Sequence, residues 1–468
     1  MSFKNNPVSS DFINSNFQDL LTDYLGVDTI DFNDNLSVSQ KKAFELFKQK
    51  KSLLILGPAG TGKSKLIKTM ENYTNSYGTD KIYLSSTTGI SAYNIGGVTV
   101  HSLFGIGTGD LEITQLVKKV VRKTAQKKRI LNMDILVIDE ISMLSASLFE
   151  KLNVICQTIR KNNLFFGGIQ LILTGDVLQL GMICNKNTDI YKEIDKRQIV
   201  ESPLFNTIFN KKENSVVTLC ENFRQKDDPI FINLLLRVRN GTFTEDDINL
   251  LNTRKVLPKD PSKHVHIVTS NRKAQMINEI ELNKLHTEEI KYTSLYSSFG
   301  SNKEMTSILT KELQSQLNLR GLNELVLKVN CRVMLVKNID VSQGIVNGSI
   351  GTIVQFIEDK TTKLNLPLVK FDNNIELLIS PAPWEIDIDN CKVTATQIPL
   401  MLAYSVTCHK IQGTTLDSAV LDIEDAFCDH QVYISLSRLK SLDGMYLKSF
   451  DSKKITVNKV MKNFLDNL

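Results

Sequence analysis

Eight residues, Gly57-Pro58-Ala59-Gly60-Thr61-Gly62-Lys63-Ser64, restrict the fold of this chain more than any other feature. They fit the pattern G-x-x-x-x-G-K-[ST]. The apolar run SLLILG (52–57) precedes them and the helical pattern SKLIKTMENY follows. A strand, a glycine-rich turn and a helix in that order aim backbone N–H groups and the positive end of a helix at one anion. Lys63 is expected to reach the β- and γ-phosphates of a nucleotide, and the Ser64 hydroxyl to ligate Mg²⁺. The alternative is a glycine-rich turn with no nucleotide, which the strand–loop–helix context disfavours.

Such a loop belongs at the carboxyl edge of a parallel sheet, and the chain has strands for one. KIYLSS (81–86), DILVIDE (134–140) and IQLILTGD (169–176) are apolar runs of strand length, separated by helical patterns and ending in small or acidic residues. The spacing of Ala43, Phe44 and Phe47 indicates an amphipathic helix from Leu36 to about Lys51. A second series follows Arg224. HVHIVTS (264–270) leads to the helix RKAQMINEIELNKL, and PLMLAYSVTCHKIQG (399–413), AVLDIE (419–424) and GMYLKS (444–449) add strands. Between them, 325–398 alternates strand and turn signals, NGSIG (347–351) among them, with no helical pattern. The expected fold is α/β. A lead-in of 1–35 precedes a first domain of 36–220, and a second domain of 221–324 and 399–468 carries an all-β insertion at 325–398.

Asp139-Glu140 closes the strand ILVI. With a phosphate loop upstream, Asp139 is expected to hold Mg²⁺ through its water shell, and Glu140 to orient and deprotonate an attacking water. A helix N-terminus that favours negative charge is the bland alternative.

Composition bounds the setting. With 468 residues, 42% apolar and 23% charged, the chain has material for two or three cores of a soluble globular protein. A net charge of +5 leans toward nucleic acid without deciding the matter. Seven scattered cysteines, none in a C-x-x-C pair, fit buried thiols in a reducing compartment better than disulfides or a zinc site. No secretory signal pattern opens the chain and no apolar stretch is long enough to span a bilayer. An intracellular, soluble protein with no membrane partner is expected. Nucleus, cytoplasm, organelle and viral replication site are not distinguished.

Besides GPAGTGKS and LVIDEISML, the chain contains STTGISAYNIGGVTVHSLFGIG (86–107), LTGDVLQL (173–180), LCENFRQ (219–225), YSVTCHKIQGTTLD (404–417) and VYISLSRLKSL (432–442). In order and approximate spacing these resemble the helicase motifs of superfamily 1, above all the 5′-to-3′ branch that holds the Pif and RecD helicases. The likeness runs from about residue 36 to 447. It implies two RecA-like P-loop domains with parallel sheets, an SH3-like insertion at 325–398, ATP and Mg²⁺ in the cleft, and single-stranded DNA across the top.

The resemblance also assigns roles. Gln40 matches a glutamine that reads the adenine edge, and Gln179 a γ-phosphate sensor, although Gly181-Met182 stand where the family commonly has prolines. Arg224 and Arg438 match arginines that reach the γ-phosphate from the second domain, where developing charge needs an always-protonated bidentate partner. Gln412, Gly413 and Thr415 match the motif that couples the nucleotide to the DNA track, with Ile411 where relatives often have Ser. His409 and Lys410 precede that turn and are candidates to contact a phosphate or the nucleotide, or else a buried His caps a strand. Thr87, Thr88, Gly89, Ser91 and His101 match residues that hold the DNA backbone without reading sequence. Phe104 is either a base-stacking platform or core. The basic run KKVVRKTAQKKR (118–129) falls where relatives carry a strand-separating wedge, at about 105–130, or is simply a solvated face. Trp384 is either structural or a contact. The implied activity is an ATP-dependent DNA helicase, a monomeric motor moving 5′-to-3′ on single-stranded and forked DNA, with partners in replication, recombination or repair. A superfamily 1 RNA helicase and a nucleic-acid clamp that binds ATP without hydrolysing it remain as alternatives.

Overall fold

A computed structural model describes residues 32–468 except 78–79, 108, 110, 180, 182–196, 211–214, 262–263, 341–342, 344 and 389–390. Most of the 1–35 lead-in, and Met182, therefore lie outside the described residues. The run ahead of the phosphate loop becomes β1 (Leu53–Leu56), with all four side chains buried, as in a strand covered on both faces. With β2 (Ile82–Ser86), β3 (Val98–Thr99), β4 (Ile135–Asp139), β5 (Gln170–Gly175) and β6 (Val216–Thr218) it forms a parallel sheet ordered β3-β2-β4-β5-β1-β6. The helix Val38–Lys48 opens on a capping box between Ser37 and Gln40 and buries Ala43, Phe44 and Phe47. Phe44 meets Tyr73 of the helix Lys63–Tyr77 edge to face, ring centroids 5.4 Å apart, so the two helices brace the loop from one side.

The second lobe's sheet starts with β7 (Val265–Val268) and is then interrupted. The interruption holds β8 (Ile290–Thr293), β9 (Leu295–Phe299), β10 (Glu324–Leu327), β11 (Arg332–Leu335), β12 (Ile350–Glu358), β13 (Asn365–Phe371), β14 (Glu376–Leu378), β15 (Ala382–Ile388), β16 (Cys391–Gln397) and β17 (Leu400–Leu402). The lobe resumes with β18 (Ser405–Thr407), β19 (Ala419–Asp422) and β20 (Met445–Ser449), and its parallel sheet runs β18-β7-β19-β20. The chain thus carries two RecA-like parallel sheets, one in each lobe.

The inserted strands pair antiparallel, in a five-stranded sheet β14-β13-β12-β11-β17 and smaller sheets β15-β16-β9 and β10-β8. Since β8 pairs with β10 and β9 with β16, the module begins near 290, ahead of the expected 325, and β17 carries it just past 398. It also includes the helix Lys303–Arg320, which no earlier pattern singled out. Met305, Leu309, Leu313 and Leu317 recur every four residues along that helix and join the first lobe's core, together with Trp384, Val393 and Ala395. Trp384 is therefore structural, with the Lys337 ammonium 5.2 Å from its ring centroid.

Two further expectations change. The basic run is broken into helices Ile113–Arg122 and Thr124–Asn132 at Lys123, and it is not uniformly solvated. Arg129 is fully buried and donates to the Leu103 carbonyl (2.7 Å) and the Met305 Sδ (2.9 Å), while Lys118, Arg122, Lys127 and Lys128 are exposed. The tail of the chain leaves the second lobe. In the helix Lys459–Asp466, Met461 enters the first lobe's core and Phe464 meets Phe205 at 5.8 Å. Among the described residues no helix is long and apolar enough to cross a membrane.

Leu313 is fully buried where the insertion's helix meets the first lobe. Leu313→Ala should cost about 2–5 kcal/mol in urea unfolding through the cavity it leaves. A cost under about 0.5 kcal/mol would mean that this docking is not a stabilising contact.

Candidate active site

The phosphate loop owes its shape to glycine. Gly60 (φ 87°) and Gly62 (φ 77°) adopt left-handed backbone, and a Cβ on Gly60 would lie 2.9 Å from the Cβ of Arg224. The second lobe's arginine loop thus packs directly on the first lobe's phosphate loop. Phe223 N–H donates to the Gly60 carbonyl (2.9 Å), and Ala59 N–H donates to the Tyr433 hydroxyl (3.1 Å) across the same boundary. A cleft of about 320 Å³ opens here, lined by Ala59 to Lys65, Glu140, Gln179, Phe223, Arg224, Gln412, Gly413 and Arg438. Lys63, Glu140, Gln179, Arg224 and Arg438, expected to carry the chemistry and drawn from five separate motifs, converge on one space.

Lys63 donates to the carbonyls of Gly57 (2.7 Å) and Pro58 (3.0 Å). Burial lowers its pKa, and Asp176, Glu140 and Asp139 partly offset this. Opposite it, Arg224 donates to the Ser437 carbonyl (2.8 Å), and Arg438 to the Ile434 carbonyl (3.0 Å) and the Ser437 hydroxyl (2.8 Å). Burial, then the neighbouring Arg438, pushes Arg224 down to about 9, and burial lowers Arg438. At neutral pH Arg224 still carries its charge. Among the described residues neither arginine makes a salt bridge, so both charges are available to an anion in the cleft.

Glu140 sits in left-handed backbone (φ 55°) directly after β4, which turns its carboxyl into the cleft. Burial first, then Asp139, raises its pKa to about 7, while Lys63 and a hydrogen bond from Gln412 oppose the rise. A carboxyl in that range suits a general base at neutral pH. Asp139 lies behind it, accepting from the Ser91 hydroxyl (2.8 Å) and the Thr174 hydroxyl. Ser64 is exposed and lines the cleft, so a hydroxyl and a carboxylate, both oxygen donors suited to Mg²⁺, flank the phosphate loop. Among the described residues no three His, Cys, Asp or Glu side chains form a metal cage, and the remaining ligands would have to be water and phosphate.

Several assignments shift. Gln40 is fully buried and does not line the cleft; its amide accepts from Ser37 N–H (3.0 Å) and donates to the carbonyls of Thr61 (3.1 Å) and Gly62 (3.3 Å). It braces the phosphate loop, and its polar atoms are spent. Phe223, within the quoted ENFRQ, is the side chain that sequence reasoning passed over: an aromatic 49% exposed at the cleft mouth. Ser91 is turned inward to Asp139, and Thr87 donates to the Glu140 carbonyl (2.8 Å), so both serve the acidic pair rather than an open track. Thr88 caps the helix Gly89–Asn94 by accepting from Ser91 N–H, and Gly89 is buried. Phe104 has no exposed surface and packs in the first lobe's core, which rules out base stacking from this position. His101 is half-buried one turn before it.

Gln412 faces Glu140 rather than a nucleic acid, and Gly413 joins it at the cleft. Thr415 lies against the insertion, where a Cβ on Gly348 would come within 2.8 Å of its carbonyl oxygen. His409 and Lys410 are half-buried on the turn after β18, away from the lining, and burial lowers the pKa of both. A second cleft of about 240 Å³ separates the first lobe from the insertion, with Tyr93, Asn94, Gln316, Lys337, Asn338 and Asn347 on its walls. Amides and one ammonium dominate these walls, beside the Glu385 carboxylate, a mixture that suits a strand contacted without base reading.

Comparison with known proteins gives this geometry a context. Residues 35–249 match the family model PIF1-like helicase, and 312–356 match that of the DNA helicase Pif1 2B domain. The chain is 31% identical over 443 residues to the human ATP-dependent DNA helicase PIF1, covering 92% of this chain and 64% of that protein's length. A crystal structure of the Pif1 helicase from Candida albicans is 30% identical, covers 92% of this chain and 99% of its own, and superposes with a TM-score of 0.69. Bacteroides Pif1 in complex with ADP-AlF3 and single-stranded DNA is 25% identical, with 94% and 97% covered and a TM-score of 0.59.

The raised pKa of Glu140 has a direct consequence if it serves as base. Its carboxylate form is lost as pH falls through about 7, so kcat/KM for ATP hydrolysis should drop on an acid limb near that value. A pH–rate profile flat down to pH of about 5, close to an unperturbed glutamate, would remove Glu140 from that role.

Proposed function

The chain belongs to the PIF1-like helicase family, and from that membership and its cleft we propose that it is an ATP-dependent DNA helicase that moves 5′-to-3′ along single-stranded DNA and unwinds forked duplexes. One observation carries the reading: Lys63, Glu140 and Gln179 of the first lobe share a cleft with Arg224 and Arg438 of the second.

In this reading the phosphates of ATP lie on the loop, where the N–H groups and Lys63 balance their charge. Glu140 takes the proton of the attacking water, held in line by Gln412 at its carboxyl. Gln179 senses the γ-phosphate. Arg224 and Arg438 meet the charge that spreads over the transferring phosphoryl group, so bound ATP draws the lobes together and hydrolysis lets them part. Ser64 and, through water, Asp139 would hold Mg²⁺, which would supply positive charge against the phosphates. Phe223 offers its ring to the adenine, the part first given to Gln40. Nucleic acid follows the groove between the first lobe and the insertion, and the exposed Lys118, Arg122, Lys127 and Lys128 stand by the incoming duplex. DNA rather than RNA, direction, action as a monomer, and a setting in replication, recombination or repair are carried over from the family likeness.

Unwinding of duplexes with a 5′ or a 3′ overhang tests activity and direction together: the 5′ substrate should open and the 3′ substrate should not. ATPase stimulated more by RNA than by DNA of matched length would instead favour an RNA motor. Lys63→Ala and Glu140→Gln should each cut turnover by about 10²-fold or more. Arg438→Ala should slow hydrolysis by about 10³-fold with DNA affinity within about twofold. Equal phosphate release from Glu140→Gln and wild type would favour a clamp over a motor.

A further inference from the structure

A third arginine of the second lobe reaches into the first and stops short of the nucleotide cleft. Arg239 lies in the last turn of the helix Pro229–Asn240, whose Phe231, Leu234, Leu235 and Val238 belong to the second lobe's core. Its guanidinium meets Asp176, directly after β5 of the first lobe, with Nε 3.1 and 3.0 Å from the two carboxylate oxygens and a terminal nitrogen 2.5 Å from one of them. Asp176 is fully buried and Arg239 only 8% exposed.

Asp176 also builds the turn that presents Gln179. Its carboxylate accepts from Leu178 N–H (3.0 Å) and its carbonyl from Gln179 N–H (3.0 Å), and Gln179 lines the cleft next to the turn that Arg239 grips. The same helix is fixed to the arginine loops at its other end. Asp228 caps it by accepting from Phe231 N–H (2.9 Å) and accepts from Leu442 N–H (2.8 Å), while Gln225 donates to the carbonyls of Ser437 (3.3 Å) and Leu439 (2.6 Å), on either side of Arg438. One helix therefore has the segment after Arg224 and the loop around Arg438 tied at its amino end, and the Gln179 turn bound at its carboxyl end.

We propose that the buried Asp176–Arg239 pair is a tether through which the second lobe positions Gln179, making Arg239 a positioning residue for hydrolysis rather than a ligand of the phosphates. An isolated buried ion pair gains little stability over apolar side chains of similar volume, so a role in registering two bodies accounts for its presence better than stability does. When Arg224 and Arg438 move with the second lobe, the helix carries the Gln179 turn with them. The γ-phosphate then meets its first-lobe and second-lobe partners together.

The proposal rests on the ATPase reading, and two variants with two readouts keep them apart. Arg239→Lys keeps the charge and loses the forked contact; the double variant Asp176→Asn/Arg239→Met removes both charges together, so that no lone buried ion remains. In each, kcat for DNA-stimulated hydrolysis should fall at least about tenfold while KM for ATP and single-stranded DNA affinity stay within about threefold. Hydrogen exchange at the amides of Leu178 and Gln179 should quicken, with the rest of β5 unchanged. A kcat within about twofold of wild type, or unchanged exchange at that turn, overturns the tether. So does a parallel fall of kcat, affinities and melting temperature, which marks plain structural damage. Should the double variant not fold, Arg239→Lys is judged by the same criteria. If the wild-type chain hydrolyses no ATP, the functional reading fails, and the exchange arm alone decides the tether.

Discussion

Burying positive charge is among the costliest things a fold can do, and this one gathers three such charges around a single cleft, where nearby carboxylates offset the cost only in part. Lys63 comes from one lobe and Arg224 and Arg438 from the other, each with its pKa lowered by burial. Backbone carbonyls take up their hydrogen bonds but not their charge. An anion that touches all three relieves the same cost on both lobes. That shared relief lets a small ligand control the arrangement of two large bodies. Gly60 matters for the same reason, since a side chain there would push Arg224 away from the phosphate loop, whereas one on Gly62 would collide with the Gln40 amide.

The acidic side of the cleft is arranged just as closely. Asp139 and Glu140 are adjacent, yet their surroundings separate them. Asp139 is held by two hydroxyls, whereas Glu140 is pushed by burial toward a pKa near neutral. The helix Gly89–Asn94, which carries Ser91, also borders the groove between the first lobe and the insertion, and packs against the helix Lys303–Arg320. Between Ser91 and Asn94, a short stretch of chain therefore touches both the acidic pair and the groove wall. A strand lying in that groove would rest on the same short helix whose Ser91 holds Asp139.

Much of this was legible in the sequence because phosphate chemistry is local. A strand, glycines and a lysine must be contiguous, and so must a strand and the acidic pair that ends it; β1, β4 and β5 appear where the apolar runs placed them. Side-chain direction was not legible. Gln40, Ser91 and Phe104 sit in motifs read as facing ligands, but each is buried, because a motif fixes backbone position while neighbours from distant sequence decide which way a side chain turns. The insertion's early start was hidden for a related reason. β8 and β9 acquire their identity only from partners about thirty and a hundred residues later. The helix Lys303–Arg320 did carry a signal, leucines and a methionine every fourth residue, but its apolar face serves another lobe. Phe223 was in plain view within ENFRQ, masked by the arginine beside it.

The helix Lys459–Asp466 leaves the second lobe and settles on the first, with Met461 in its core and Phe464 against Phe205. On the way the chain is pinned to the second lobe, where His430 N–H donates to the Thr456 carbonyl (2.9 Å) and Asn458 N–H to the His430 Nε2 (3.1 Å). The polypeptide thus passes between the lobes at two places, once before Arg224 and once after Asn458. Two bodies stitched at a pair of separated points cannot drift apart or slide freely. With the insertion's helix also seated in the first lobe's core, any relative movement of the two lobes is confined to what these joints allow.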